Sequence, residues 1–236
     1  MVGSPPHKEA PVLGLFFFIQ NKIMDLTTIY NSFPESQYRN KYEMASHYYN
    51  LNYRLITGRI AYTLDILPQV KQFIMEYQEV LALPNMFSNK VIGFLLRPIY
   101  TKAFRYYSET HIPYGAGINN KPYSSPWIIV ESCLDSDYLR QFYPYVIATQ
   151  GATISNFLQE FLFSTSPYII SGMDNDDAGN MAYRKLCYKY KGRVRKLDPP
   201  NGKKDFGEIL DLLLSNDQLN FELESMMVKM SIQTLV

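Results

Sequence analysis

The sequence is poor in the residues that staple small folds together. It has two cysteines, Cys133 and Cys187, and three histidines, His7, His47 and His111. They are too few and too scattered to supply the four ligands of a zinc finger or ribbon, so no zinc is expected. No disulfide framework is expected either, which suits a reducing cytoplasm. Charge of one sign is also lacking. The net charge is +1, so no global field marks a nucleic-acid partner, and such a surface must come from local clustering. The apolar run near the N-terminus, Val12–Ile19 (VLGLFFFI), is far shorter than the roughly 20 residues a membrane helix needs. A basic start and a small-residue cleavage site, the marks of a signal peptide, do not frame it. It reads as a strand or buried segment, or as an appended start ahead of Met24. The expectation is a cytoplasmic protein without a membrane partner.

Hydrophobic residues make up 47% of the chain and charged residues 19%, so a sizeable core is within reach. Residues 1–23 read as a flexible or appended segment, with Pro5, Pro6 and Pro11 close together. Residues 24–80 read mostly helical, because Ile56, Ile60, Leu64 and Leu67 recur at helical spacing. Pro68 breaks or starts a helix there. VLALP and KVIGFLLRPIY read as strands about a turn at Ser88 and Asn89. The Gly-, Pro-, Asn- and Ser-rich stretch 112–126 reads as a linker. From Trp127 short apolar runs (WIIVES, YVIAT, YIISGM, RVRKL) alternate with helix-like segments (DSDYLRQF, SNFLQEFLF, DAGNMAYRKLCYKY, FGEILDLLL). That alternation implies a parallel sheet covered by helices. The fold class is therefore α/β: a parallel-sheet domain over 126–214, preceded by a smaller α+β subdomain over 24–125 and followed by a helical tail, 215–236, that could at most bind a small partner.

The acidic residues fall where such a sheet gathers its functional groups, at the carboxyl ends of its strands. Glu131 ends the first strand, with Asp135 four residues on. Asp174 and Asp176 end the third, and Asp205 opens the helix after the turn PPNGKK. Carboxylates brought together repel unless a cation neutralises them. Hard oxygen ligands suit Mg²⁺ or Mn²⁺, which stabilise charge developing at phosphorus. Asp176 and Asp205 are equally placed to be helix N-caps, and taken singly each acid has that plainer reading.

Positive charge is local. Residues 80–108 contain no Asp or Glu, yet hold Lys90, Arg97, Lys102 and Arg105 interleaved with Phe94, Tyr100, Phe104, Tyr106 and Tyr107. Cations that track phosphates and aromatics that stack on bases suit single-stranded nucleic acid, although a core strand pair with solvated cations would read the same way. A second basic run spans 184–204, and Lys203 and Lys204 abut Asp205. These two are the candidates for a nucleotide triphosphate. The two cysteines read as packing residues, and the tyrosines are too dispersed to carry a pattern.

WIIVESCLDS resembles the glutamate motif of the TOPRIM domain of bacterial- and phage-type DNA primases, with Glu131 and Asp135 on its acidic positions and Ser132 where the family usually has Gly. VIATQGATIS is similar to the segment that follows, with Gly151 on its glycine. IISGMDNDDAG resembles the D-x-D-x-A-G motif through Asp174, Asp176, Ala178 and Gly179, and NGKKDFGEIL the G-K-D segment through Asp205. Upstream, LPNMFSNKVIGFLLRPI and FRYYSET resemble primase-core segments, with Lys90, Gly93, Arg97 and Tyr107 on or beside their positions, Arg105 in place of Lys and Ser108 in place of Asn. The resemblance covers about residues 50–214. It implies a primase-type nucleotidyltransferase that joins ribonucleoside triphosphates into a short RNA primer on a single-stranded DNA template. Asp174, Asp176 and Asp205 would hold the metal with Asp135 in support, and Glu131 would be a ligand or a base. Lys90, Arg97, Lys102 and Arg105 would grip nucleic acid in the groove between the two subdomains. The family's zinc module has no counterpart in these residues, nor has its helicase region, so a stripped core that works with a replicative helicase is expected. A TOPRIM nuclease and a non-catalytic DNA-binding replication or recombination factor are the alternatives.

Overall fold

The structure is a computed structural model that describes residues 26–34, 53–63, 68–87, 90–101, 103–108, 113–116 and 121–236. The N-terminal segment 1–23, Leu64, Leu67, Ser88, Asn89 and Lys102 lie outside the described residues.

The first part is an antiparallel sheet of β1 (Arg54–Thr57), β2 (Glu79–Phe87), β3 (Lys90–Pro98) and β4 (Arg105–Ser108), in that spatial order. Helix α1 (Leu26–Asn31) precedes it, and α2 (Gly58–Ala61) and α3 (Pro68–Tyr77) lie between β1 and β2. Successive side chains on a strand point to opposite faces, and the sheet uses both. Leu55, Leu81, Leu83 and Leu95 join a core shared with the second sheet. Ile56, Val80, Ala82, Phe94 and Leu96 form another core with Leu26 and Ile29 of α1 and Val70, Phe73 and Ile74 of α3.

Ile56 therefore belongs to a strand, where sequence periodicity expected helix. The apolar residues at 56 and 60 sit in two different short elements whose sum mimics a helical repeat. Pro68 starts α3, where its missing N–H costs nothing.

The second part is a four-stranded parallel sheet of β5 (Trp127–Val130), β6 (Val146–Ala148), β7 (Ile169–Ser171) and β8 (Val194–Lys196), in the order β6-β5-β7-β8. Its connections carry α4 (Cys133–Leu139), α5 (Asn156–Ser164) and α6 (Asp177–Lys189), and α7 (Gly207–Leu214) and α8 (Gln218–Leu235) follow β8. Trp127 and Ile129 pack with Leu158 and Leu162 of α5 and Leu186 of α6. Ile128 and Val130 pack with Leu134 of α4, Ile209 and Leu210 of α7 and Val228 of α8. The fold class expected from the strand-helix alternation is the one observed.

Two segments are more firmly placed than their composition suggests. Tyr114, in the stretch that reads as a linker, is 1% exposed and bridges Ala148 at the edge of β6. Helix α8, in the stretch that reads as a tail, buries Phe221, Val228 and Ile232 in the shared core. Among the described residues no helix is long and apolar enough to cross a membrane.

Candidate active site

The carboxyl edge of the parallel sheet is built by three loops tied to one another through backbone hydrogen bonds. After β5, Thr149 N–H donates to Val130 O at 2.9 Å and Gly151 N–H to Glu131 O at 3.3 Å. After β7, Gly172 N–H donates to Ile129 O at 2.8 Å, and Asn175 N–H to Lys204 O at 2.7 Å. The last bond fastens the loop carrying Asp174 and Asp176 to the loop carrying Lys204 and Asp205.

Glu131 follows β5 directly and is half-buried, and its Oε1 has no hydrogen-bond partner. Burial, and then the charges of Asp174 and Asp176, push its carboxyl up to about 7. Asp135, in the first turn of α4, is 2% exposed. Ser132 caps α4 by accepting from Asp135 N–H at 3.1 Å, and its hydroxyl donates to Asp135 Oδ2 at 2.8 Å. The serine that stands in place of the usual glycine thus supports the helix and one carboxylate oxygen. The other, Oδ1, is buried without a partner. Burial and then Asp205 push this carboxyl also up to about 7.

Asp174 is raised by burial and then by Asp205, against the pull of Lys204. Asp176 caps α6 by accepting from Gly179 N–H at 3.0 Å, which, with Lys204, holds its carboxyl below the usual range. Asp205 Oδ1 accepts from Glu208 N–H at 2.9 Å at the head of α7. Asp176 is therefore the N-cap of α6, while Asp205 stands one residue before the N-cap Phe206 of α7 and bonds its first turn, and both acids stand at the sheet edge as well. Two glycines make the approach possible. A Cβ on Gly179 would meet Asp174 O at 2.1 Å and Glu131 Oε1 at 2.9 Å, and one on Gly207 would meet Asp205 Oδ1 at 3.1 Å and Asp135 Oδ1 at 3.3 Å.

The cation now facing this edge is Lys204, whose Nζ lies 3.0 Å from Asp176 Oδ2 and 3.3 Å from Asp174 Oδ2. Bonding to the Asp176 carboxylate, and then to Asp174, raises its ammonium well above the ordinary lysine value. Lys203 is engaged elsewhere, 3.4 Å from Glu224 Oε2 on α8. Among the described residues no three His, Cys, Asp or Glu side chains already stand as a ligand shell for a metal ion. Lys204 bridges Asp174 and Asp176, Ser132 holds Asp135, and backbone N–H groups of two helix starts hold Asp176 and Asp205.

Among the described residues, the basic side chains of the antiparallel sheet do not all share one face. Lys90 is exposed at the start of β3. Arg97 pairs with Leu81 and shares the face of Leu95, which is turned towards the second sheet. Its charge reaches the thiol of Cys133 at the start of α4. Arg105 pairs with Leu96, on the opposite face, and its guanidinium lies 5.9 Å from the centre of the Phe73 ring. Tyr100 and Phe104 nearby are exposed. In the second basic run, Arg193 donates to the carbonyls of Phe163, Ser166 and Pro167, and Arg195 to that of Leu235. These two arginines serve the fold.

One constellation escapes sequence reading. Asp137 is 4% exposed and accepts from Tyr53 OH at 2.6 Å and Tyr114 OH at 2.5 Å, with Arg140 Nη1 at 3.4 Å. It ties the residue before β1, the segment after β4 and helix α4 into one buried knot. The tyrosines lie 84 and 23 positions away in sequence, so no local spacing announces it.

No family model matches the chain, and no curated protein matches its sequence. Solved structures do. The Escherichia coli primase catalytic core covers 84% of this chain and 77% of its own, with a TM-score of 0.53 at 18% identity. A DnaG primase catalytic domain bound to single-stranded DNA gives 84%, 75%, 0.52 and 18%. The zinc-binding and RNA polymerase domains of the Aquifex aeolicus primase give 83%, 59%, 0.53 and 15%. The fold is that of a bacterial-type primase catalytic core. At such identities the likeness fixes the fold, and the chemistry of this primase-core fold rests on the side chains at its sheet edge.

Those side chains set a pH dependence. Glu131 and Asp135 hold their protons more tightly in the folded chain than the ordinary carboxyl value of about 4 allows. The stability this lends is present below about pH 4 and is lost as pH rises to about 7, because the folded state binds the extra protons. In chelator, the thermal midpoint should fall between about pH 5 and pH 7, and Asp135→Asn should flatten that fall. An equally steep fall in the variant would show that the buried pair does not cause it.

Proposed function

We propose that the chain is the catalytic core of a primase: a TOPRIM-type nucleotidyltransferase that joins ribonucleoside triphosphates into short RNA primers on single-stranded DNA. The observation that carries this reading is the gathering of Glu131, Asp135, Asp174, Asp176 and Asp205 at the carboxyl edge of a parallel sheet in a primase-core fold.

The donors fit a divalent ion such as Mg²⁺ or Mn²⁺. They are all carboxylate oxygens, two of them buried without partners, and their mutual repulsion asks for a cation. Asp174, Asp176 and Asp205 would hold it, with Asp135 behind them, once Lys204 moves aside. When bound, such an ion neutralises the charge that develops on the transferring phosphoryl group.

The rest of the reading concerns the chain's own groups. Glu131, with its carboxyl near neutrality, is suited to accept the proton of the attacking 3′-hydroxyl. Lys204, displaced from the two aspartates, would meet the triphosphate. Lys203 is the weaker candidate for that role because Glu224 holds it. Gly179 keeps Glu131 and Asp174 in reach of each other.

Template contact divides by sheet face. Arg97 faces the second sheet and would grip nucleic acid in the groove, whereas Arg105 lies on the far face. Arg97→Ala should reduce the slope of log affinity against log salt for single-stranded DNA by about 0.7, the loss of one phosphate contact, and Arg105→Ala should leave it nearly unchanged. Equal slopes for both variants would place the strand elsewhere.

The reaction itself is separated by product. Incubation with labelled ribonucleotides, Mg²⁺ and single-stranded DNA yields new oligomers from a primase, shortened DNA from a nuclease, and neither from a DNA-binding factor. A core that engages its template through phosphate and stacking contacts should prime weakly and with little template preference, and a replicative helicase or separate zinc protein should stimulate it.

A further inference from the structure

Helix α8 is apolar on two opposite faces. Phe221, Val228 and Ile232 are buried in the core. On the far side, Leu219 is 69% exposed, Leu223 45%, Met226 53% and Met230 59%. The spacings in this second set are four, three and four residues, the repeat of a helix that packs along its length against another helix. At about 100° per residue the four side chains fall within a stripe roughly 60° wide, centred opposite the buried face. Surface apolar residues are commonly scattered singly, and a continuous stripe of this kind is a contact surface.

The charges beside the stripe say what fits it. Glu222 and Lys229 are both exposed and lie along the same flank. Two copies of α8 laid antiparallel about their middle set Leu223 against Met226 of the other copy, and Leu219 against its Met230. The same arrangement brings Glu222 of each copy beside Lys229 of the other, an attractive pair made twice by the two-fold axis. A parallel pairing about a two-fold axis would put the Glu222–Lys229 flanks of the two copies on opposite sides of the seam, so neither attractive pair would form. The face is self-complementary in one orientation.

We propose that the chain self-associates through an antiparallel pairing of α8 with α8 of a second copy, independently of the catalytic reading. Four apolar side chains a copy make a small interface, of the size typical of transient contacts. The dimer is therefore weak and depends on concentration. The arrangement leaves the carboxylate edge outside the contact residues.

Sedimentation of the full chain across a concentration series tests this. The mass should rise from that of a 27.4 kDa monomer towards twice that value at concentrations on the order of 100 μM. Leu223→Glu should hold the mass at the monomer value with an unchanged circular dichroism spectrum. Glu222→Lys and Lys229→Glu should each weaken association at low salt, and the two together should restore it. For orientation, Leu219→Cys and Met230→Cys chains should form a disulfide when mixed and not alone, since about 16 Å separates the two positions along the helix axis. A monomer throughout the series would overturn the proposal. So would a dimer indifferent to Leu223→Glu, or a Leu219→Cys chain that links to itself.

Discussion

Asp174→Asn should abolish nucleotide joining while leaving the fold intact. The substitution keeps the shape of the side chain and removes one of the charges that raise Glu131. Asp174 itself is lifted by burial and by Asp205, so a neutral amide relieves repulsion in the metal-free chain. Thermal stability in chelator should stay level or rise. Mn²⁺ affinity should drop by at least about tenfold, roughly 1.4 kcal/mol, because an amide oxygen replaces an anionic ligand. Calorimetric titration of both proteins with Mn²⁺ reads the affinity, and a scan in chelator reads the stability. Equal Mn²⁺ affinity would remove Asp174 from any shared site, and a marked loss of stability would make it structural.

Asp137→Ala should have the largest effect on stability. It strips the acceptor from two buried tyrosine hydroxyls and the partner from Arg140. Burial raises the Asp137 carboxyl, while Arg140 and the tyrosine hydrogen bonds oppose that rise and favour the anion. Breaking a buried charge network from one side costs about 3–5 kcal/mol, because the remaining groups stay desolvated and unpaired. For a chain of this size that is a fall of roughly 10 °C in the thermal midpoint. Tyr53→Phe, which leaves Tyr114 and Arg140 on the carboxylate, should cost about 1 kcal/mol. Urea unfolding of the three proteins gives the ranking, and an Asp137→Ala cost within about 1 kcal/mol of zero would mean water replaces the tyrosines.

What the sequence revealed and what it hid divide along one line. The parallel sheet was legible because β5, β6 and β7 lie in short apolar runs between helical segments, and because the candidate acids follow the strands in order. Its four strands and the helices between them lie where the alternation puts them. The strand at Arg54–Thr57 was hidden because a four-residue strand and a four-residue helix in succession imitate a longer helical period. Asp137 was hidden for a different reason. Its meaning depends on Tyr53 and Tyr114, and dispersed tyrosines carry no pattern until the two sheets share a core. The split between Arg97 and Arg105 follows from strand register, which a count of cations between 80 and 108 does not contain. Lys204 lay next to Asp205 in sequence, yet its partners are Asp174 and Asp176, brought to it by the loop bond from Asn175.

The most direct measurement is de novo synthesis on a defined single-stranded DNA template with Mg²⁺ and one labelled ribonucleoside triphosphate, comparing the wild-type chain with Asp174→Asn. The wild type should give a ladder of short, template-complementary RNA and the variant none. A variant ladder equal to the wild type, or a wild type that only shortens the DNA, would contradict the catalytic reading.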